Sequence, residues 1–299
     1  MAKKILEDLK SLKQMKMELL LVGNEKKISS KEVGLEVGLV LSKFFFKTEH
    51  LHFGFWPDDL EISIDNLKKS QDYHSEKIIN SIPSDVNTIL DVGSGSGGLA
   101  EKLVEKNYKV ECVSPSHFLS DAIENKLYEK VKVHRSTFEN LEVKTKYDLV
   151  LFSESFQYVN IQKSFEKIPS LLDKNGKLLI CDFFRQPGTG TKPLGGGHDW
   201  KVFQDHLSNF PFNNILDVDI TRETARTYDL IDKIINDVAL PVRDLSSTYL
   251  SSQYPGGMTL LKWFFRKKIN RINRIYFKGN MKGEMFNKLK TYRILLYDI

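Results

Sequence analysis

Short apolar runs separated by helical stretches of about ten residues predict an α/β fold, with a mostly parallel sheet covered by helices on both faces. Three observations carry that expectation. The alternation holds from Thr88 to Phe183, a glycine-rich turn follows the first strand directly, and a compact β-type run over Tyr292 to Tyr297 is placed to return to the sheet. The 299 residues, 41% of them hydrophobic, suffice for one large domain with an elaboration and exclude a disordered chain.

The elements follow in order. Residues 1–31 set Leu6, Leu9, Leu12, Met15 and Leu19 among lysines at helical spacing, which predicts a lid or docking helix. An apolar, aromatic stretch from Val33 to Phe46 leads into Glu49-His50-Leu51-His52-Phe53-Gly54-Phe55-Trp56-Pro57, read as a packed pocket lining. A helix is expected over 62–80, so that 1–80 forms a helical lid and pocket segment ahead of a domain at 81–299. Strands are expected at 88–92, 109–113, 131–134, 147–152 and 177–183, with helices at 99–107, 117–127 and 161–172 between them. Beyond Phe184, glycine and proline at 186–190 and 195–198 mark a loop. A helix at 199–209, a strand at 215–220 and helices at 227–239 and 245–278 follow, the latter making a helical insertion over about 227–290 before the last strand, with a loop at Tyr254-Pro255-Gly256-Gly257.

Charge is segregated along the chain. Residues 1–31 hold 8 basic and 4 acidic groups, 32–261 hold 25 and 33, and 262–293 hold 11 and 1, for a net charge of +5. No run has the roughly 18 apolar residues of a membrane-spanning helix, and the N-terminus lacks the apolar core of a secretory signal. Two cysteines, Cys112 and Cys181, make neither a disulfide scaffold nor a metal cluster, and both fall in predicted core strands as inert thiols; a reducing cytoplasm is the expected compartment. The seven histidines are scattered, and no metal site is expected.

The strand ending in Asp91 opens through Gly93, Ser94, Gly95, Ser96 and Gly97 into a helix, a geometry that brings backbone amides close to a ligand. Gly93, Gly95 and Gly98 also satisfy a dinucleotide fingerprint, so the loop alone leaves an NAD-dependent enzyme, or a plain tight turn, open. The stretch from Ile89 to Gly97 resembles motif I of the class I S-adenosylmethionine-dependent methyltransferases. Tyr147 to Tyr158 and Leu171 to Ile180 resemble that family's fourth strand and the loop into its fifth. His50 to Trp56 is similar to the segment before the core in the cyclopropane-fatty-acid synthase and the sterol and tocopherol methyltransferase branch. The resemblance implies a Rossmann-like, mostly parallel seven-stranded sheet. It also implies S-adenosylmethionine as cofactor and S-adenosylhomocysteine as product, with Gly93, Ser94, Gly95 and Gly97 at the methionine end and Asp91 ordering the loop. Ser114 and Ser116 stand where an acidic ribose ligand is usual, Glu111 is expected to face away, and Thr137 with Phe138 stands where an adenine-binding aspartate is usual.

Methyl transfer is an in-line displacement, so a protein mainly aligns the acceptor and excludes water, and a base is needed only when the acceptor must lose a proton. Glu154, just past the fourth strand, matches a glutamate of the family branch and is the leading acceptor-side candidate, with Tyr158 and His198 beside it as catalytic residues; a cap on the next turn is Glu154's alternative role. His50, His52, Phe55, Trp56 and Phe156 are candidates for contact with an apolar or cationic acceptor, against the alternative that they only pack. Gly195-Gly196-Gly197 ahead of His198 permits close approach to a ligand. Methyl transfer to a small molecule, apolar or lipid-linked, is thus the expected function. Cyclopropane-synthase-like lipid modification and a non-catalytic cofactor-binding module are the rivals.

Residues 261–278 place Phe265, Ile269, Ile272 and Tyr276 on one helical face and Lys267, Arg271, Arg274 and Lys278 on the other. Such a helix either docks on the body or lies at an anionic membrane surface. A polynucleotide partner fits poorly with an acidic body and a single basic stripe, and the pattern says nothing about oligomeric state.

Overall fold

The computed structural model describes residues 30–189, 194–277 and 281–299, so the amphipathic pattern of residues 1–29 and the position Lys278 lie outside the described residues. By contacts the chain forms two units, 1–37 and 38–299; residues 38–80, expected ahead of the domain boundary, belong to the second.

A helix, α1 (Ser30–Phe45), and a second, α2 (Leu67–Asn80), precede the sheet. The βα alternation follows as β1 (Thr88–Val92), α3 (Gly98–Glu105), β2 (Lys109–Val113), α4 (His117–Leu127), β3 (Lys132–His134), β4 (Tyr147–Ser153), α5 (Ile161–Leu171) and β5 (Leu172–Arg185). Next come α6 (Trp200–Leu207), β6 (Asn213–Asp219), α7 (Thr221–Ile234), α8 (Leu240–Gln253), α9 (Pro255–Tyr276), α10 (Gly283–Leu289) and β7 (Lys290–Asp298). The seven strands lie in the order β3-β2-β1-β4-β5-β7-β6. Pairing is parallel from β3 through β5, and β7 runs antiparallel to both of its neighbours. The order therefore reverses between β1 and β4, and the crevice beyond the carboxyl ends of those two strands is where such sheets take ligands.

Alternation along the strands divides the core. Ile89, Leu149, Leu151, Leu179, Cys181, Tyr292 and Ile294 face one layer with α2, α3 and α4, whereas Leu90, Val92, Val150, Phe152, Leu178, Ile180 and Leu295 face the other with α5 and α6. Both thiols are buried and unpaired, as expected. Polar side chains close three helix starts: Ser116 accepts from the Leu119 amide, Asn160 from Lys163, and Asp199 from Lys201 and Val202.

Several element boundaries differ from expectation, among them the early start of β5 at Leu172. The helix expected over 62–80 starts only at Leu67, after a turn in which the Asn66 side-chain amide donates to the Glu61 carbonyl. The helical insertion begins earlier, at Thr221, and passes through a π turn at Ile235–Ala239. The loop expected at 254–257 shrinks to Tyr254 alone, because Pro255, with no N–H to lose and φ already set, starts α9. Among the described residues no helix is long and apolar enough to cross a membrane.

Candidate active site

The loop after β1 is built for close approach. Gly93, Gly95 and Gly97 have φ of 75, 56 and 83°, a region that L side chains enter only at a cost. A Cβ on Gly93 would stand 2.4 Å from Cβ of Ser155, which itself ties down the loop by donating its hydroxyl to the Val92 carbonyl. A Cβ on Gly95 would meet nothing within 4 Å, so this glycine faces open space rather than packing. Below the loop Asp91 is buried, its Oδ2 has no partner among the described residues, and desolvation pushes its pKa up to about 7. Ser94 donates to the Asp91 carbonyl at 2.8 Å and Ser96 to the carbonyl of Glu49, so both serines brace the loop.

Glu154 follows β4 directly and sits at φ 52°, a left-handed conformation held by its amide donating to the Cys181 carbonyl at 2.8 Å. Its Oε1 accepts from the Tyr292 hydroxyl at 2.7 Å and from the Phe53 amide at 2.6 Å. Burial outweighs these two donors and raises the carboxyl to about 8. Behind Tyr292 lies His74, with Nε2 2.9 Å from the phenol oxygen. A phenol that donates to Glu154 must accept from His74, so the imidazole carries its proton on Nε2. Burial holds that ring neutral, with Nδ1 lacking a partner among the described residues. The result is a donor chain, His74 to Tyr292 to Glu154, crossing from α2 through β7 to the end of β4. Around it Phe53 packs against Phe183, Tyr228, Phe286 and Tyr292 at centroid distances of 5.9, 5.5, 5.7 and 6.0 Å. The arrangement offers a carboxyl that exchanges a proton near neutral pH, in an apolar aromatic setting, one residue from the glycine loop's brace.

Residues 89–176 match the family model described as a methyltransferase domain. The chain has the class I methyltransferase fold, and its residues 89–176 are similar to a methyltransferase domain. An uncharacterized methyltransferase of Geobacillus sp. (strain WCH70) is 24% identical over 199 residues, 62% of this chain and 86% of that protein. Among solved structures, the fold is similar to mycolic acid cyclopropane synthase, with a TM-score of 0.62 at 15% identity, over 92% of this chain and 100% of that one. It is likewise similar to geranyl diphosphate C-methyltransferase from Streptomyces coelicolor A3(2), with a TM-score of 0.59 at 14% identity, over 83% of this chain and 87% of that one.

Within this methyltransferase fold the sequence candidates divide. Glu154 and Tyr158 come together: Tyr158 is 64% exposed, and its phenol is raised by partial burial and by the nearby Asp182 and Glu154 carboxyls. His198 departs from its expected catalytic role. Its Nε2 donates to the Phe156 carbonyl at 2.9 Å and its ring stands edge-on to Phe156, so it braces the turn after β4. Gly196 and Gly197 serve the chain's own packing, since a Cβ on either would lie 2.8 Å from an oxygen, of the Gln157 side chain or the Phe183 carbonyl, whereas one on Gly195 would meet nothing within 4 Å. The Lys290 ammonium clamps the carbonyls of Gly195 and Gly196. Ser114 is buried at the end of β2, whereas Ser116 spends its hydroxyl capping α4. Glu111 is held by His134 and Tyr147 at 2.6 and 2.8 Å, away from the crevice. Thr137 is exposed, but Phe138 is core, edge-on to Phe152.

The expected acceptor contacts shift as well. Trp56 and Phe156 are wholly buried, the indole donating to Thr227 at 2.9 Å and the Phe156 ring packed against Phe152 and Phe203. Phe55 lies under the Lys77 ammonium. His50 and His52 face each other at 3.1 Å, and His52 Nδ1 donates to the Phe53 carbonyl at 2.8 Å. Both rings are neutral, lowered to about 3 and about 4 mainly by burial. A Cβ on Gly98 would stand 2.7 Å from the His50 ring, so this pair packs the 49–53 segment onto the start of α3. No group of metal-binding residues occurs among the described residues. Phe53, expected in the pocket lining, is at the centre of the cluster, whereas Tyr292, His74 and Asp182 are functional candidates that sequence reasoning passed over. For His74 a signal existed, since it shares the buried stripe Leu67, Gln71, His74, Ile78 of α2. For Tyr292 none did, because its partner lies 138 residues away.

Proposed function

We propose that this protein is an S-adenosylmethionine-dependent methyltransferase acting on a small, apolar or lipid-linked acceptor, with Glu154 as the base that receives the acceptor's proton. The observation that carries the reading is Glu154 itself: a carboxyl raised to about 8, next in the chain to Ser155, which packs on Gly93, and hydrogen-bonded to the Phe53 amide inside the aromatic cluster. The crevice fits the cofactor. Gly93, Gly95 and Gly97 would hold its methionine end, the open side of Gly95 gives room, and the buried, unpartnered Oδ2 of Asp91 is an acceptor for a donor brought by a ligand. When bound, the cofactor supplies an electrophilic methyl group whose sulfur leaves as a neutral thioether.

The chain's own residues do the rest. Phe53 and Tyr228 exclude water from the acceptor, and the strained backbone at Glu154 aims the carboxylate. Tyr292 and the Phe53 amide stabilise its charged form, so that it takes the proton as the acceptor is methylated. Two buried free thiols fit a reducing, cytoplasmic compartment.

The test is a cell extract incubated with methyl-labelled S-adenosylmethionine and the purified protein, products being read by mass spectrometry. A labelled apolar product formed by the wild type and not by Glu154→Gln is expected. Turnover unaffected by E154Q removes the base assignment, and a melting temperature raised by NAD but not by S-adenosylhomocysteine removes the cofactor assignment.

A further inference from the structure

The helices α8 and α9 differ from the other described α-helices, each of which buries at least one residue. None of their described side chains is buried, although they carry Leu245, Tyr249, Trp263, Phe264 and Phe265. Leu245 is 72%, Trp263 62% and Phe264 73% exposed. The apolar stripe expected either to dock on the body or to meet a membrane is therefore not docked. An exposed apolar surface of this extent marks a contact site.

Charge selects the partner. The α9 helix carries Lys262, Arg266, Lys267, Lys268, Arg271 and Arg274 and not one carboxylate. A second copy meeting this face symmetrically would set the cations against their own kind. The chain's residues 1–31, with 8 basic and 4 acidic groups, are no better complement. A polynucleotide would pair with the cations and leave the leucines and phenylalanines exposed. An anionic bilayer satisfies both, because its phosphates meet the cations while aromatic rings enter the boundary below the headgroups.

We infer that the α8–α9 hairpin is a docking surface for an anionic phospholipid bilayer, with the α9 face of Phe265, Ile269, Ile272 and Tyr276 inserting and the cations that flank it, Lys262, Arg266 and Lys268, pairing with lipid phosphates. The inference rests on exposure and charge and stands whether or not the proposed methyl transfer does.

Its test is co-sedimentation of the full chain with phosphatidylcholine vesicles, with and without phosphatidylglycerol, at low and high salt. Binding to the anionic vesicles should exceed binding to neutral ones by about tenfold or more and fall in high salt. F265S/I272S and K262E/R266E/K268E should each weaken it by about tenfold, with melting temperatures unchanged because these side chains are exposed. Equal binding to neutral vesicles, no vesicle binding by the wild type at low salt, or a dimer dissolved by F265S/I272S without any vesicle binding would each overturn it.

Discussion

At the scale of the residue, Glu154 concentrates the chemistry and the strain. Its left-handed backbone costs roughly 1 kcal/mol for a residue with a Cβ, and the neighbouring fold imposes that cost. With a pKa of about 8, its carboxyl is mostly protonated at pH 7, so a reaction that needs it as a base should accelerate as pH rises through about 8. That inflection should appear in the pH dependence of kcat/KM for the wild type and vanish in E154Q. The Tyr292 hydroxyl donates to the carboxylate, and taking it away leaves the charged form less stabilised. Tyr292→Phe should therefore shift the inflection to higher pH, whereas a merely structural role for Tyr292 would lower activity without moving it.

At the scale of the element, the turn from β1 into α3 separates binding from folding in adjacent glycines. Gly95→Val points its new side chain into the crevice and meets no protein atom within 4 Å. It should keep the fold, at a backbone cost of about 1–2 kcal/mol for positive φ, and abolish S-adenosylhomocysteine binding in titration calorimetry. Gly93→Ala instead drives a methyl group to 2.4 Å from Ser155 Cβ. That overpacking, added to the same backbone cost, should lower stability by about 2–4 kcal/mol in denaturant titration. A Gly93→Ala protein as stable as the wild type would show that the loop is not held by Ser155. Much of this element was legible beforehand: β1 and β2 run where the apolar pattern put them, because a short buried strand bounded by turn residues is a local signal. The roles of His198, Gly196 and Gly197 were not, since glycine beside a histidine reads alike whether the close approach is to a ligand or to β5.

At the scale of the whole molecule, buried ionisable groups tie stability to pH. Asp91 and Asp182 are raised to about 7 and Glu154 to about 8, so the folded state holds protons that the unfolded chain has released. Stability from these groups is complete below their unfolded values near 4 and is lost as pH rises through their folded ones. His50, His52, His74 and His198, lowered by burial from 6.5, act in the opposite sense but only below that value. Between pH 6.5 and about 8 the carboxyls act without that opposition, and the melting temperature should fall over this interval, less steeply in E154Q. A flat profile there would mean that the three carboxyls are ionised in the folded protein.

The sequence by itself determined the βα alternation, the glycine turn, the acidic residue after β4 and the segregated charge, because each depends on residues close together in the chain. Only the tertiary structure decided which polar and aromatic side chains share a site. Tyr292 reaches Glu154 because β7 inserts antiparallel beside β5, and His74 reaches Tyr292 because α2 packs on that same face of the sheet. Trp56, Phe156 and His198 carry the residue types of a site yet are consumed by packing and bracing. Burial and register are sums over distant neighbours, and no local pattern encodes them.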